Sequence, residues 1–517
     1  MKRMMMWLAV LGCGAIAVQA EVKLPPVISS HMVLQRDMPV PIWGTAAPGE
    51  KIIVAFAGQT KTAEADAQGK WLVKLDPLAT SAEPRNLTIT SSKSDKPVML
   101  SDVLVGEVWL GSGQSNMAGA AGSYEGRDEG MAQNLNAAPY PALRVIGSGA
   151  TGWQEGTKDN LRHFSALQFS FGIRLHKELG VPVGLLAGAV GGTPSGNWLS
   201  AEAFASSQAI KDAIAHAPAF DLDAANKKYE QDLAKWKKLE ADAKKKGEKP
   251  RGRGPFKPVK PGECFRGPVG NLYEKHIRAF IPYAIRGVLW DQGEAGTAIQ
   301  GVDQCTVMGA LFAGWRKDWG QGDFPFLYVE KPSGQGCGWD KNDPVTRNAN
   351  EFKPLPATVP GIGSGREQYI RMLKHPNAFM VTASDLGSGV HPTNKSGYGA
   401  RAARVALGAV YAKPVEIYGP VYQSHKVADG KVVISFTHVG KGLVFRGGEK
   451  LQGFAVAGVD KKFVWADAAI EGDTIVLSNT KVREPQVISY AWAADQTWAN
   501  LFNKDGLPAL PFRTDDQ

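Results

Sequence analysis

The stretch GEVWLGSGQSNMAG, Gly106 to Gly119, decides how the middle of this chain folds. Its apolar run Val108-Trp109-Leu110 has the character of a buried strand, and this run ends abruptly in Gly-Ser-Gly. Ser115 follows at once, between the side-chain amides of Gln114 and Asn116. Since open α/β sheets bind and react at the carboxyl ends of their strands, the stretch predicts an α/β fold with a polar site at this point.

The surrounding segment, residues 102–413, alternates between apolar strands and helical periods. SALQFSFGIRLHKELG places Leu167, Phe171, Leu175 and Leu179 four residues apart, and Gly180 is a typical helix end. Strands are predicted at VPVGLLAGAV, IRGVLW, FPFLYV and NAFMVTASD, and further helices at NLYEKHIRAFIPY, MGALFAGWRKDW and SGYGARAARVALGAVYA. Such alternation predicts a parallel sheet with helices on both faces. No GxxxxGK[ST] phosphate loop occurs.

The two flanking regions have a different pattern. Residues 21–101 contain short runs of β-forming residues between Gly, Pro and Ser turns, which indicates a small antiparallel, sandwich-like domain. Residues 414–517 repeat this pattern up to GLPALPFR, which we expect to form an irregular tail. The sequence thus predicts an α/β domain between two β-rich regions.

The N-terminus, MKRMMMWLAVLGCGAIAVQA, resembles a secretory signal peptide. Two cations precede an apolar stretch, and the small residues before Glu21 suit cleavage after Ala20. A lipoprotein anchored through Cys13 is the alternative, although Leu11 before Gly12 is a poor match for it. No later run approaches the ~20 apolar residues that a membrane span requires. We therefore expect residues 1–20 to be removed and the protein to be exported, either periplasmic or secreted.

Three cysteines, Cys264, Cys305 and Cys337, follow the expected cleavage site. In an oxidising compartment they allow at most one intramolecular disulfide, and the sequence leaves the pairing open. Their spacing is not that of a zinc site, so we expect neither a metal nor a cofactor.

The net charge of +9 arises almost entirely from one segment. Between Lys227 and Lys260 there are 13 Lys and Arg against 5 Asp and Glu. Apolar residues at helical spacing begin this segment: Tyr229, Leu233, Trp236 and Leu239. We interpret residues 220–260 as a basic helical insertion with a solvated loop, and contact with an acidic glycan or a membrane surface as the alternative. Because the charge is local, no nucleic-acid partner is expected; the oligomeric state is open.

Polar residues follow four of the predicted strands directly. If these strands are parallel, the residues meet at one edge of the sheet. Together they supply a serine, a glycine turn and acid, amide and imidazole groups, as acyl transfer requires. They are Ser115, then Gly191-Gly192-Thr193, then Asp291, Gln292 and Glu294, and finally Asp385 and His391.

The position of each histidine along its strand identifies the candidate base. His375 precedes the strand NAFMVTASD and should lie at the opposite edge of the sheet from Ser115. His391 follows the same strand and should lie at the same edge as Ser115. We therefore predict His391 as the partner of Ser115.

These blocks, taken in order, resemble a known family. GEVWLGSGQSNM, GGTPSGNW, GVLWDQGEAG, GREQ and SDLGSGVHPTNKSGYGARAARVA are similar to the signature blocks of the sialate O-acetylesterase family, SGNH-type esterases that remove acetyl groups from sugars. The resemblance implies that Ser115 is the nucleophile and His391 the base. It also implies an oxyanion hole formed by the N–H of Ser115, by Gly192 and by the amide of Gln292.

The sequence leaves the third catalytic member open, because the residue three before His391 is Ser388, where many SGNH esterases have an acid. Glu294 in the QGE block and Asp385 are the alternatives, and a Ser–His dyad is a third. Asn116, Trp198 and Arg366 are candidate substrate-binding residues, although Asn116 also suits a structural turn and Trp198 core packing.

The sequence therefore predicts an exported esterase that hydrolyses O-acetyl groups from sialic acid or a polysaccharide through an acetyl-serine. Two alternatives remain: hydrolysis of another sugar ester, such as a sulfate or a larger acyl group, and a glycan-binding protein without catalysis. Asp291 and Gly296 depart from the family pattern, so the substrate is left open.

Overall fold

The computed structural model describes residues 21–250, 252–331, 342–346, 350–361, 363 and 365–515. The expected signal peptide and Cys337 lie outside these residues. The described chain is a mixed α/β protein built on one large mixed sheet of 11 strands, with a β-rich region at each end. This confirms the predicted α/β class.

The N-terminal region consists of short strands that lead into one long strand. The strands are β1 (Val33–Gln35), β2 (Val40–Thr45), β3 (Lys51–Phe56), β4 (Gln59–Glu64), β5 (Lys70–Leu75), β6 (Ser81–Ser91) and β7 (Ser94–Gly113). The first part of β7 pairs antiparallel with β6, and β1 pairs parallel with it further along. Strand β7 thus connects the β-rich region to the central sheet.

The second part of β7 is the middle of a predominantly parallel sheet. Its other strands are β8 (Tyr140–Gly147), β9 (Gln154–Gly156), β10 (Val183–Ala189), β11 (Gly287–Asp291), β12 (Phe326–Val329) and β13 (Ala378–Val381). The order is β13-β12-β11-β7-β10-β8-β9, and only β9 pairs antiparallel within it. The carboxyl ends of β7, β10, β11, β12 and β13 therefore lie along one edge.

Helices cover both faces of this sheet. They are α1 (Ser115–Ala118), α2 (Glu129–Asn136), α3 (Lys158–His163), α4 (Ala166–Leu179), α5 (Ala201–Ser206), α6 (Gln208–Ala215), α7 (Leu222–Lys245), α8 (Asn271–His276), α9 (Gln304–Trp319), α10 (Glu367–Arg371) and α11 (Lys395–Ala409). Trp109 of β7 packs with α4 and α11 in one apolar cluster, whereas its neighbours Val108 and Leu110 pack in the cluster that contains α9. Because side chains alternate along a strand, both faces of β7 are buried.

The C-terminal region returns to short antiparallel strands around its own apolar cluster. They are β14 (Val421–Ala428), β15 (Lys431–Thr437), β16 (Leu443–Phe445), β17 (Phe454–Ala457), β18 (Val464–Trp465), β19 (Asp467–Glu471), β20 (Thr474–Ser478), β21 (Val487–Tyr490), β22 (Leu501–Asn503) and β23 (Phe512–Arg513). The tail expected to be irregular ends in β23, which pairs with β21. Phe512 is buried in this cluster, which explains why the end of the tail forms a regular strand.

Three further features bear on the sequence predictions. Among the described residues, no helix is both long enough and apolar enough to cross a bilayer. Cys264 and Cys305 carry free thiols, so they do not form the disulfide that the sequence allowed between them. The basic segment does form a helix, α7, with Leu239 of its apolar stripe 63% exposed.

Candidate active site

Ser115 and His391 meet at the carboxyl edge of the central sheet. Ser115 begins α1 two residues after β7 ends, and His391 lies in the loop between β13 and α11. The Nε2 atom of His391 is 2.8 Å from the Oγ atom of Ser115. Ser115 is half-buried and His391 is exposed, so solvent and substrate can reach the pair.

The sharp end of β7 depends on a glycine. Gly113 has a φ of 127°, and a Cβ atom there would overlap the backbone of Asp291 at the end of β11. The next residue, Gln114, donates its backbone N–H to the carbonyl of Asp291 at 2.8 Å. The close approach of these strand ends fixes the position from which Ser115 projects.

The Gly191-Gly192 turn after β10 lies beside Ser115. Val190 donates its N–H to the Gly113 carbonyl at 3.1 Å, which holds the turn against the end of β7. A Cβ atom at Gly191 would lie 3.6 Å from that of Ser115, and Gly192 has a φ of 70°. No hydrogen bond among the described residues uses the backbone N–H of Ser115 or of Gly192. These two donors are therefore available to a ligand next to the serine.

Two arginines lie on the outer side of this turn. Arg266 donates to the Gly192 carbonyl, and a Cβ atom at Gly192 would lie 3.2 Å from the Nη2 atom of Arg253. Burial and, second, the neighbouring charge of Arg253 lower the pKa of Arg266 below its usual value. Neither guanidinium has a carboxylate partner among the described residues. These two guanidiniums form a positive rim at the site.

Neither candidate acid contacts the imidazole of His391. Asp385 is fully buried and its carboxylate is held by the guanidinium of Arg401, at 3.1 and 2.9 Å. Glu294 accepts hydrogen bonds from Gln114 and, at 3.1 Å, from the Nδ2 atom of Asn116. Among the described residues, Ser115 is the only side-chain partner of His391. Within the part of the chain that the structure describes, the contacts of His391 thus match the Ser–His alternative.

Asn116 was a candidate for binding substrate, but it is fully buried and connects three parts of the site. Its Nδ2 atom donates to Glu294 and, at 3.0 Å, to the backbone carbonyl of Val390, the residue before His391. Its Oδ1 atom accepts from the Nζ atom of Lys395 at 2.6 Å. Asn116 therefore contacts the loop that carries His391, and its burial excludes direct contact with a substrate.

Two buried lysines and two acids form the base of the site. Lys331 Nζ lies 2.8 Å from Asp291 and 3.1 Å from Glu294. Burial would lower the pKa of Lys331, but the charges of these two acids outweigh it and raise that pKa above its usual value. Burial also raises the pKa of Asp291, and the charge of Lys331 acts on that pKa in the opposite direction. The charges of Lys331, Asp291 and Glu294 thus stabilise one another below the reacting groups.

Lys395 lies near this group but pairs with an amide. Burial, the largest effect, lowers its pKa to about 7; the charge of Lys331 acts in the same direction, whereas Asp291 opposes it. The rings of Tyr124 and Tyr398 lie 5.3 and 5.0 Å from the Nζ atom. An amide oxygen and two aromatic faces are thus the direct partners of this ammonium group.

The predicted oxyanion donor Gln292 is oriented away from that role. Its Nε2 atom donates to the carbonyls of Thr193 and Gly296, at 3.3 and 2.9 Å. Its Oε1 atom accepts from Gln304 at 2.9 Å. Both ends of the amide are occupied, so Gln292 supports the glycine turn from below instead of facing the serine.

Trp198 and Arg366 are also buried, contrary to their expected contact with substrate. Trp198 has no exposed surface, and its indole N–H donates to Thr193 Oγ1 at 3.0 Å. Arg366 is equally inaccessible and lies 3.8 Å from the Glu330 carboxylate. Both side chains support the loops of the site from inside the core.

The sequence reasoning missed Glu330 and Lys331, although a signal was present. Both directly follow the predicted strand FPFLYV, which is β12. The rule that located Ser115 applies equally to the end of this strand. Arg253 and Arg266 had no comparable signal, since they approach the site from a loop distant in sequence.

Comparison with known proteins gives a consistent result. No family model matches the sequence. Sialate O-acetylesterases from Pongo abelii and Rattus norvegicus are each 24% identical to it, over 94% of this chain and 91% and 93% of theirs. The crystal structure of a carbohydrate acetylesterase from Xanthomonas citri superposes with a TM-score of 0.73 at 26% identity, covering 96% of this chain and 100% of that one. The similarity extends over almost the full length in both comparisons, which confirms the resemblance of this chain to the sialate O-acetylesterase family that the motifs indicated.

Proposed function

We propose that this protein is an exported SGNH-type serine esterase that hydrolyses O-acetyl groups on sugars. The observation that carries the proposal is the 2.8 Å contact between Ser115 Oγ and His391 Nε2 beside two unused backbone N–H groups. The names of the relatives, sialate O-acetylesterase and carbohydrate acetylesterase, agree with this chemistry. Export rests on residues 1–20 alone. We also retain the division into a β-rich region (21–101), a catalytic domain (102–413) and a C-terminal region (414–517).

The first half of the reaction transfers the acetyl group to the enzyme. His391 Nε2 accepts the proton of Ser115 while Oγ forms a bond to the acetyl carbonyl carbon. The carbonyl oxygen becomes an oxyanion, and the N–H groups of Ser115 and Gly192 donate to it. The bond from carbon to the sugar oxygen then breaks, and His391 returns its proton to that oxygen. Free sugar and acetyl-serine result.

The second half regenerates the enzyme. A water molecule loses a proton to His391 as it attacks the acetyl-serine carbonyl, and the same two N–H groups stabilise the second oxyanion. The bond to Ser115 Oγ then breaks, His391 protonates this oxygen, and acetate leaves. The two-residue arrangement suffices for these transfers, because His391 gains and loses one proton in each half.

The positive rim favours a sugar that carries a negative charge. Arg253 and Arg266 lie beside Gly192, which we place in the oxyanion hole, so an anionic group near the ester would meet two guanidiniums without acidic partners among the described residues. Guanidinium groups bind carboxylates in a planar, two-bond geometry. Sialic acid, which the relatives' name contains, has such a carboxylate. We therefore propose an acetylated sugar acid ahead of a neutral glycan.

Acetate release provides the test. The purified protein is assayed on acetylated sialic acid, acetylated pectin and acetylated xylan, beside Ser115→Ala and His391→Ala. We expect both variants to lose at least ~10³-fold in kcat, since they remove the nucleophile and the base. A fluorophosphonate should label the native protein and His391→Ala in proportion to their activity, and should not label Ser115→Ala. Undiminished acetate release by Ser115→Ala would contradict the proposal.

A further inference from the structure

The loop that carries His391 is held in place by few interactions. Residues 388–391 are exposed, Val390 to 59%, and Gly387 and Gly389 before it have φ values of 133° and 79°. Among the described residues, the bond from Asn116 Nδ2 to the Val390 carbonyl is the only hydrogen bond to the backbone of this stretch. The position of the imidazole therefore depends on how Asn116 is oriented.

Lys395 is one of three groups that set this orientation. The carboxylate of Glu294 and the Val390 carbonyl both accept from the amide nitrogen of Asn116, so its oxygen must point the other way. At that position Lys395 Nζ donates to Oδ1 at 2.6 Å. An amide turned by 180° would present its oxygen to two acceptors and its nitrogen to an ammonium group. All three contacts thus select one orientation.

The cost of placing Lys395 at this position indicates a function. The residue is fully buried, it occupies the first turn of α11, and among the described residues it has no ion pair. Burial and the positive end of a helix both disfavour an ammonium group. Groups that are costly to bury cluster at functional sites, where they hold other residues in a required geometry.

We propose that Lys395 is a positioning residue for His391. It acts through Asn116 and the Val390 carbonyl and takes over the orienting part of a third triad member. The inference rests on the proposed esterase function, because it concerns the base of that reaction. A triad acid orients the imidazole ring itself, whereas this connection fixes the backbone that carries the ring. A displacement of about 1 Å in a catalytic group can cost ~10²-fold in rate.

The test compares Lys395→Met, Asn116→Ala and the double variant with Lys317→Met, an exposed lysine paired with Glu202 far from the site. Each single variant should lower kcat by ~10²-fold and leave KM within about twofold, since substrate contacts are unaffected. The double variant should lose no more than the worse single one, because both changes act on the same connection. Lys317→Met should retain full activity.

Measuring the Tm of wild type and Lys395→Met across pH tells whether Lys395 positions His391 or only stabilises the fold. The folded protein binds the Lys395 proton less tightly than the unfolded chain does, so wild-type stability rises as the pH increases from about 7 towards 10.5. Lys395→Met lacks this contribution, so its Tm relative to wild type should improve as the pH falls over the same range, while its kcat remains low. The other groups facing Lys395 are common to both proteins: Asp291, Lys331, Glu294, Asp128, Tyr124 and Tyr398.

Three outcomes would overturn the proposal. They are full kcat in a folded Lys395→Met, full kcat in a folded Asn116→Ala, and losses that multiply in the double variant. If Lys395→Met does not fold, the kcat of Asn116→Ala decides between the proposal and its refutation. Activity that persists in Ser115→Ala would instead refute the esterase mechanism, so the two failures can be told apart.

Discussion

Replacement of Arg253 by glutamine tests how the positive rim selects substrate. Arg253 is exposed, has no ion pair among the described residues, and lies next to the Gly192 turn. The change Arg253→Gln removes the charge and keeps a polar side chain of moderate length. We expect a lower kcat/KM for an acetylated sugar acid and no change for a neutral acetylated sugar.

The size of the effect follows from the exposure of the side chain. Exposed ion pairs contribute about 0.2–1 kcal/mol, because water and salt screen the two charges. At 25 °C the upper value is a factor of about five in an equilibrium constant. Arg253→Gln should therefore reduce kcat/KM for acetylated sialic acid up to about fivefold, mostly through KM. At 1 M salt, where the screening length is about 3 Å, the difference should disappear.

The assay measures acetate release from acetylated sialic acid and from acetylated xylo-oligosaccharides, at low and high salt. Arg174→Gln is the matched control, since Arg174 is an exposed arginine on α4 that pairs with Glu178. It should leave both substrates unaffected. An equal loss on both substrates, or a loss that salt does not reduce, would show that Arg253 acts through structure and not through charge.

Two further predictions concern the turn and the base of the site. Gly192→Ala adds a Cβ atom 3.2 Å from the Arg253 guanidinium at a residue whose φ is 70°, so the oxyanion donor should move and kcat should fall by ~10²–10³-fold. Gly320→Ala is the control for backbone strain, because Gly320 has a φ of 65° and open space around it. Equal kcat in the two variants would contradict the oxyanion role of Gly192. Lys331→Met removes the cation that lies between the buried Asp291 and the part-buried Glu294, and should destabilise the protein by about 3–5 kcal/mol in denaturant unfolding. The exposed Lys317→Met should cost less than about 1 kcal/mol, and a similar midpoint for both variants would refute the ion-pair assignment.

The positions of Ser115 and His391 could be predicted because they depend on local patterns. A strand that ends in glycine, and a histidine after rather than before its strand, place both residues at one edge of any parallel sheet. The structure brings them to 2.8 Å. The helix from Ala166 to Leu179 and its end at Gly180, which has a φ of 67°, were predictable for the same reason.

The roles of the other polar residues were not predictable in this way. Gln292 follows β11 as expected, but hydrogen bonds to Thr193, Gly296 and Gln304 turn its amide away from the serine. Asp385 is close to His391 in sequence, yet Arg401 binds it in the core. The sequence shows which polar residues reach an edge, but it does not show which partner each one finds there.

The sequence by itself therefore determined the alternation of strands and helices, the edge at which the site lies, and the serine and histidine within it. These depend on periodicity and on strand direction, which are properties of neighbouring residues. Only the tertiary structure decided which acids are neutralised, which side chains are buried, and which groups hold the histidine loop. Those outcomes depend on distances between residues such as Asn116 and Lys395, which are 279 positions apart in the chain and meet only when the fold is complete.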